Sequence, residues 1–546
     1  MLQSRVPRFK MGRSEIQEFY AGKSVLVTGA SGFMGKVLLE KLLRSCGDIA
    51  SIYILLRPKR GKPIESRVDE LTKLPLFNKI REEHPERLKK IVPLKGDVIM
   101  DNLGLDEKSE DAIINNVNIV FHGAAVLRLD APLKDSVCMN VEGTLRILKL
   151  CRNIKNLQAF VHLSTAFCHC DHEILEERMY PPPAQPLDVI SLTHWMDDEC
   201  LKMITPKLLE PHPNTYTYTK RLAEKLVADE FPKMPVAIAR PSIVCPAVSD
   251  PLPGWVDNLN GPVGVLIGAG KGVIRTMLCD GRYHAEIIPV DMAINGIIAV
   301  GWKTATTVHK EKEIPVYNLT QHNAKPITWG QVLENGKKIA YENPFEMMLW
   351  YPDGNIRTNK FIHNLCLFFF HWLPAYFIDF MMLIFGQKRF MLRIQGKISD
   401  GLKVLQYFTT REWRFLNDKV IALRHSMSQV DQDLFFLNFE DIEPVSYVKT
   451  CILGARVYIL KEPLSSIPRC RRNLKIMWLA DRTCKVLFFA MLAWLVFTST
   501  DTIGYWLDSA KSGYSERDIY AHIQWTELLP TWELCIFRKW IIPKTD

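Results

Sequence analysis

The sequence predicts an α/β chain: a doubly wound parallel sheet with helices on both faces, substrate-binding insertions, and a mostly helical, membrane-associated C-terminal region. Three observations predict it. The run "SVLVT" (24–28) is continuously apolar, as a strand buried on both faces is, and it passes through glycines spaced three apart into a stripe of Val37, Leu38, Leu39, Leu42 and Leu43 at helical spacing. Further short apolar runs, "SIYILLR", "IVPLKGDV" (91–98), "VNIVFHGAA" (117–125) and "LQAFVHLSTAF" (157–167), follow at separations that leave room for crossover helices. Two long apolar stretches stand late in the chain, at 361–386 and 477–507.

A chain of 546 residues with 47% hydrophobic content divides into two or three units. The reading places an N-terminal extension at 1–20, a cofactor-binding and substrate domain at 21–355, a smaller helical domain at 356–465, a basic-flanked hydrophobic segment at 466–507 and a tail at 508–546. The net charge of +9 favours acidic partners such as phosphates or an anionic lipid bilayer, but it is not concentrated into a stripe, which argues for no nucleic acid. Thirteen cysteines without a regular framework fit a reducing compartment, and "MLQSRVPRFKMGRSE" carries no apolar core of a secretory signal. The catalytic body is therefore expected to face the cytosol.

The glycines Gly29, Gly32 and Gly35 sit at the strand-to-helix turn. There Gly29 permits the tight turn, Gly32 lets backbone approach a pyrophosphate, and Gly35 lets the helix pack closely on the sheet. Thr28, Phe33 and Met34 complete this contact set of a Rossmann-type dinucleotide site, and the free amides at the helix N-terminus would meet the phosphates. The next strand ends at Arg57, with Lys59 and Arg60 close behind, where a binder of the unphosphorylated cofactor would place a carboxylate; a cation suits a 2′-phosphate, so the expected cofactor is NADPH. Asp97 is placed to touch the adenine, and Gly123 and Ala124 leave backbone exposed beside the cofactor. His122 is read as packed and hydrogen-bonded rather than catalytic.

The fifth strand ends on the hydroxyls of Ser164 and Thr165, and Tyr216 and Lys220 in "NTYTYTKRLAE" (214–224) share one helical face at i,i+4. A neighbouring ammonium favours the phenolate, so this tyrosine can exchange a proton as hydride moves, while Lys220 holds a ribose hydroxyl. With the stretches "TGASGFMGKVLLEKLLRS", "FHGAAVLRLD", "VHLSTAF", "YPPP", "ARPSIV", "PGWVDNLNGPVG" and "IIPVDMAING", the chain resembles the extended short-chain dehydrogenase/reductases, and more closely the fatty acyl-CoA reductases of the male-sterility type. That resemblance implies reduction of long-chain acyl-CoA through an aldehyde to a primary fatty alcohol with release of CoA, at the expense of two NADPH. Its catalytic set falls on Tyr216, Lys220 and the Ser164–Thr165 pair; Thr165 is favoured because it precedes the small Ala166, with Ser164 left open. Two other readings stand beside it: a membrane-associated 3-hydroxysteroid dehydrogenase using the same tyrosine and lysine, and a non-catalytic lipid-binding scaffold.

Around this set, Trp255, Leu259, Val265 and Leu266 are candidate walls of an acyl channel, and Lys271 and Arg275, one turn apart, candidate partners of CoA phosphates. "AFCHCDHE" (166–173) holds Cys168, His169, Cys170 and His172 without the spacing of a zinc knuckle, so no metal is expected. The stretch 361–386 is long enough to cross a bilayer but is interrupted by His363, His371, Pro374 and Asp379; a hairpin dipping into the interface or a wall for the acyl chain fits as well as a span. The second stretch has basic residues upstream, from Arg469 to Lys485, and Asp501 downstream, an asymmetry that keeps the body cytosolic on the endoplasmic reticulum or peroxisomal membrane. No residue pattern sets an oligomeric state.

Overall fold

The computed structural model describes residues 13–58, 63–307, 313–321 and 327–512. The first twelve residues of the N-terminal extension, Lys59, Arg60 and residues 513–546 of the tail lie outside the described residues. The chain divides into two units, 1–474 and 475–546.

The first unit is organised by one parallel sheet of seven strands: β1 (Ser24–Thr28), β2 (Ser51–Leu56), β3 (Ile91–Lys95), β4 (Val117–His122), β5 (Ala159–Leu163), β6 (Val236–Pro241) and β7 (Val316–Leu319). Their order is β7-β6-β5-β4-β1-β2-β3, every neighbour parallel. The chain thus winds outward from β1 through β2 to β3, then returns to β4 and winds the other way, which opens a crevice beyond the carboxyl ends of β1 and β4. The alternation of side chains follows from the pleat. Val25, Val27, Ile52, Ile54, Ile119 and Phe121 enter one core with the helices Phe33–Ser45 and Val290–Thr306. Leu26, Val120, Phe160, Val236 and Ile238 enter the other with the helices Gly143–Cys151 and Thr215–Ala228.

The sequence expectation of a doubly wound parallel sheet holds, and three details add to it. The resemblance stretch "ARPSIV" begins inside β6, which runs from Val236 because "VAIARP" is buried along its whole length. The short β7 was not anticipated. The short strand Ile287–Pro289, within "IIPVDMAING", pairs with Ile243–Cys245 outside the main sheet.

The C-terminal region is sewn into the same body. Val420, Leu423, Phe435, Leu437 and Phe439 join the core around the helix Val290–Thr306. The Asp431 carboxylate accepts from the Ser14 hydroxyl and from the amides of Glu15 (3.0 Å) and Ile16 (3.3 Å), tying the first described helix, Glu15–Tyr20, to this region. Gly254, at φ +73°, meets Gly454 backbone to backbone: a Cβ on Gly454 would lie 1.9 Å from the Gly254 carbonyl oxygen. Two helices, Lys360–Ile384 and Leu464–Thr500, are long and apolar enough to cross a membrane by length and composition. In the second unit, which begins at Lys475, Val486, Leu487, Phe489, Trp494 and Phe497 are all exposed.

Candidate active site

The glycine turn forms as expected, and its constraints are mutual. Gly29 adopts φ +76°, and a Cβ there would stand 2.7 Å from the Gly123 carbonyl carbon and 2.8 Å from the Ala124 nitrogen. One on Gly35 would stand 2.3 Å from the Gly29 carbonyl oxygen, so Gly35 makes room for the turn itself. Gly32 is the N-cap of the helix Phe33–Ser45, which has no side-chain cap and no acidic residue in its first turn. The amides of Phe33, Met34 and Gly35 therefore have no intrahelical acceptor and are free to meet an anion.

Thr28 locks β1 to β4. Its hydroxyl bonds His122 Nδ1 (2.8 Å) and accepts from the Ala124 amide (3.2 Å), while His122 Nε2 bonds Thr144 Oγ1 (3.0 Å). Burial lowers the His122 pKa to about 3, with Lys220 adding to the effect, so His122 is a neutral, packed histidine, as the sequence reading has it. At the outer end of the crevice Arg57 Nε stands 3.6 Å from Asp97 Oδ2. The two residues assigned separately to the 2′-phosphate and the adenine are thus an ion pair, its arginine side chain 63% exposed and its aspartate 12%. Arg67, from the helix Ile64–Thr72, donates to the Arg57 carbonyl oxygen and brings a second guanidinium to this end, which the sequence reading missed.

The helix Thr215–Ala228 starts where Asn214 accepts from the Thr217 amide (2.9 Å), which sets Tyr216 in the first turn. Tyr216, Lys220 and Glu224 follow at i, i+4 and i+8 along one face. Lys220 Nζ donates to the Leu163 carbonyl oxygen at the end of β5 (2.5 Å), holding the ammonium beneath Ser164 and Thr165. The two hydroxyls then diverge. Ser164 Oγ lies 3.6 Å from Cys168 Sγ, whereas the Thr165 hydroxyl accepts from the Phe167 amide (3.3 Å) and acts on the Tyr216 phenol, whose pKa it lowers.

Burial pushes the Tyr216 phenol well above its ordinary pKa and Cys168 pushes it further; the neighbouring Thr165 hydroxyl opposes both. Burial lowers Lys220 to about 8, against the attraction of Cys168 and Glu224. The pair thus presents a protonated phenol beside an ammonium that titrates near neutrality, an arrangement able to deliver a proton to an oxyanion.

Beneath this set lies a cluster whose coupling the sequence reading missed. Glu224 accepts from Arg240 Nε (2.8 Å) and Nη2 (2.7 Å), bonds His169 Nε2 (2.9 Å) and accepts from the Cys168 thiol (3.2 Å). Glu224, Arg240 and His169 are fully buried. Cys168, His169 and Glu224 converge as metal ligands would, yet the carboxylate that a metal would need already neutralises a guanidinium, so the donor set fits an ion pair better than a cation. The signal was present: Glu224 extends the Tyr216–Lys220 spacing by one more turn.

Of the proposed channel walls, Trp255 is buried against Tyr458, Leu259 is exposed, and Leu266 lines a wholly apolar cavity of about 20 Å³ with Pro262, Val263 and Trp329. The CoA-phosphate pair is corrected. Lys271 Nζ is bound to Glu462 (3.0 Å) and the Glu346 carbonyl oxygen (2.9 Å), and the Arg275 guanidinium lies over the rings of Trp350 and Phe370. Both are spent within the fold, because the C-terminal region supplies partners that spacing alone does not reveal.

The Male sterility protein family matches residues 27–297, and a second family of the same description matches 370–462. Fatty acyl-CoA reductase 1 of Mus musculus is 37% identical over 459 residues, covering 84% of this chain and 89% of its own. The chain belongs to the fatty acyl-CoA reductase family. Within it, fatty acyl-CoA reductase 1 of Xenopus laevis is 38% identical over the same coverage, and fatty acyl-CoA reductase wat of Drosophila melanogaster 36% identical over 484 residues, 89% of this chain and 93% of that one. The reductase domain of a nonribosomal peptide synthetase from Mycobacterium tuberculosis has the same fold at 15% identity, TM-score 0.52, over 80% of this chain and 91% of its own. This reductase therefore carries an NAD(P)-type cofactor domain, its glycine turn inside the matched region.

Proposed function

We propose that the protein reduces long-chain fatty acyl-CoA to a primary fatty alcohol, using two NADPH and two protons and releasing CoA, through an aldehyde. Family membership carries this reading, and the convergence of Thr165, Tyr216 and Lys220 at the crevice end of β5 supports it. The groups present suit the cofactor: uncapped amides and glycines at the turn for the pyrophosphate, and Arg57 for a 2′-phosphate. Bound there, NADPH supplies hydride to the carbonyl carbon.

The chain's own part is electrostatic and protic. Thr165 and the Tyr216 phenol donate to the carbonyl oxygen as it gains charge, first on the thioester and then on the aldehyde. In the second reduction Tyr216 gives up its proton to the alkoxide, and the Lys220 ammonium stabilises the phenolate left behind. Lys220, held now by the Leu163 carbonyl oxygen, would hold a ribose hydroxyl of the cofactor. Ser164 holds the turn through Cys168 and does not touch the reacting oxygen.

The C-terminal apolar helices associate the enzyme with the cytosolic face of the endoplasmic reticulum or peroxisomal membrane, where an alkyl product partitions directly into lipid. Activity of the full-length protein with acyl-CoA and either NADPH or NADH tests the reading: alcohol and free thiol with NADPH are expected. Turnover of a 3-hydroxysteroid without thiol release would replace it.

A further inference from the structure

The helix Lys360–Ile384 wears its side chains inside out. Its inward stripe, His371, Ala375 and Asp379 at i+4 spacing, is buried, whereas Leu365, Phe368, Phe377, Phe380 and Ile384 on the other face are 48 to 63% exposed. The inward polar groups all have partners, in the body or in the returning helix Met391–Thr409. His371 Nε2 accepts from the amides of Arg275 (3.0 Å) and Thr276 (3.2 Å), and its Nδ1 is bonded by Gln395 (3.1 Å). His363 bonds the Thr276 hydroxyl (3.1 Å). Asp379 accepts from the amides of Phe390, Met391 and Leu392, capping the returning helix Met391–Thr409.

Of the residues that interrupt the apolar stretch, His363 and His371 therefore fasten it to the body at Arg275 and Thr276, and Asp379 ties its far end back to the returning helix. A segment fastened in this way cannot thread a bilayer on its own. Charge indicates what covers its outer face. Between Lys360 and Lys397 the sole acid is Asp379, buried in its cap, while Lys360, Lys388, Arg389, Arg393 and Lys397 are all exposed. An apolar face rimmed by cations and free of exposed anions matches an anionic lipid surface.

We infer that Lys360–Arg389, with the start of the returning helix, is an in-plane membrane anchor: its outer face enters one leaflet of an anionic bilayer, and both ends stay on the side of the catalytic body. This rests on the membrane association proposed above and fixes its geometry. The returning helix then leads from lipid to the catalytic turn. It spans 19 residues, about 28 Å at 1.5 Å per residue. Just beyond its last turns Trp413 donates to the Cys170 carbonyl oxygen (3.1 Å), and Phe408 and Trp413 pack edge-on to Phe167, two residues after Thr165. Acyl substrate and alcohol would be exchanged with the leaflet on which the body sits.

The test places a nitroxide, through an incorporated p-acetylphenylalanine, at position 365, 377, 384 or 489 of the full-length protein in phosphatidylcholine–phosphatidylserine liposomes. Depth is read from the balance of oxygen and nickel-chelate relaxation. The expected result is a similar shallow depth for the first three, about 5–10 Å below the phosphates. A crossing helix would instead separate 365 from 384 by about 28 Å, which overturns the inference. So does nickel accessibility at all three with position 489 in lipid, an outcome that leaves membrane association standing; water exposure at all four overturns both. Replacing Lys388, Arg389, Arg393 and Lys397 together by glutamate should return the three labels to water in these liposomes, and unchanged depths would refute the role of charge.

Discussion

At the scale of single residues, the two hydroxyls after β5 face different partners, and the different duties proposed for them are separable by kinetics. Tyr216→Phe and Thr165→Val should each lower kcat by about 10²–10⁴-fold, the usual worth of a positioned proton donor or oxyanion partner. Ser164→Ala, whose hydroxyl faces Cys168, should stay within about tenfold; equal losses at 164 and 165 would reverse the assignment. Lys220 sets the alkaline limb. Its pKa is lowered to about 8 by burial, so the ammonium is present below that pH and lost above it. For the free enzyme kcat/KM should therefore fall as pH rises through about 8, and Lys220→Arg, if active, should move that limb upward. The Tyr216 phenol, raised by burial, stays protonated throughout and does not produce it. Replacing Arg57 by alanine should raise KM for NADPH about 10–100-fold, the cost of one lost charged hydrogen bond, with KM for NADH nearly unchanged.

At the scale of elements, β5, its turn and the helix Thr215–Ala228 form one device clamped by Glu224 and Arg240. Glu224→Gln leaves a fully buried guanidinium without its counter-charge and should cost about 3–5 kcal/mol in denaturant unfolding. A loss under 1 kcal/mol would mean that the cluster is not the clamp. Elements with a strong local signature were legible in the sequence: β1 and its glycine turn, because only glycine fits so close an approach to Gly123, and the Tyr216–Lys220 face, because helical period alone aligns it. The short β7 was not, since four residues carry no period of their own and owe their conformation to pairing with β6. Nor was the engagement of Lys271, whose partner Glu462 lies 191 residues away. The buried Glu224–Arg240 pair shows the same limit: sequence places Glu224 on the right face, and only the fold brings β6 beside it.

At the scale of the whole molecule, the C-terminal region is a structural component of the reductase. It completes the core around the helix Val290–Thr306, holds the first described helix through Asp431 and braces the catalytic turn through Trp413. Truncation before residue 390 should therefore abolish the folded protein, read as the loss of a cooperative unfolding transition. On the inference drawn above, the apolar face of Lys360–Ile384 would give that region a second role, seating the body where both substrate and product dissolve. The central claim is a four-electron reduction of an acyl thioester, and stoichiometry tests it most directly. With detergent-solubilised full-length protein and a long-chain acyl-CoA, NADPH consumption, free thiol and lipid products are measured in one reaction. Two NADPH consumed per thiol released, with primary alcohol as the product, is the predicted result; one NADPH per thiol with aldehyde accumulating, or no thiol at all, would contradict it.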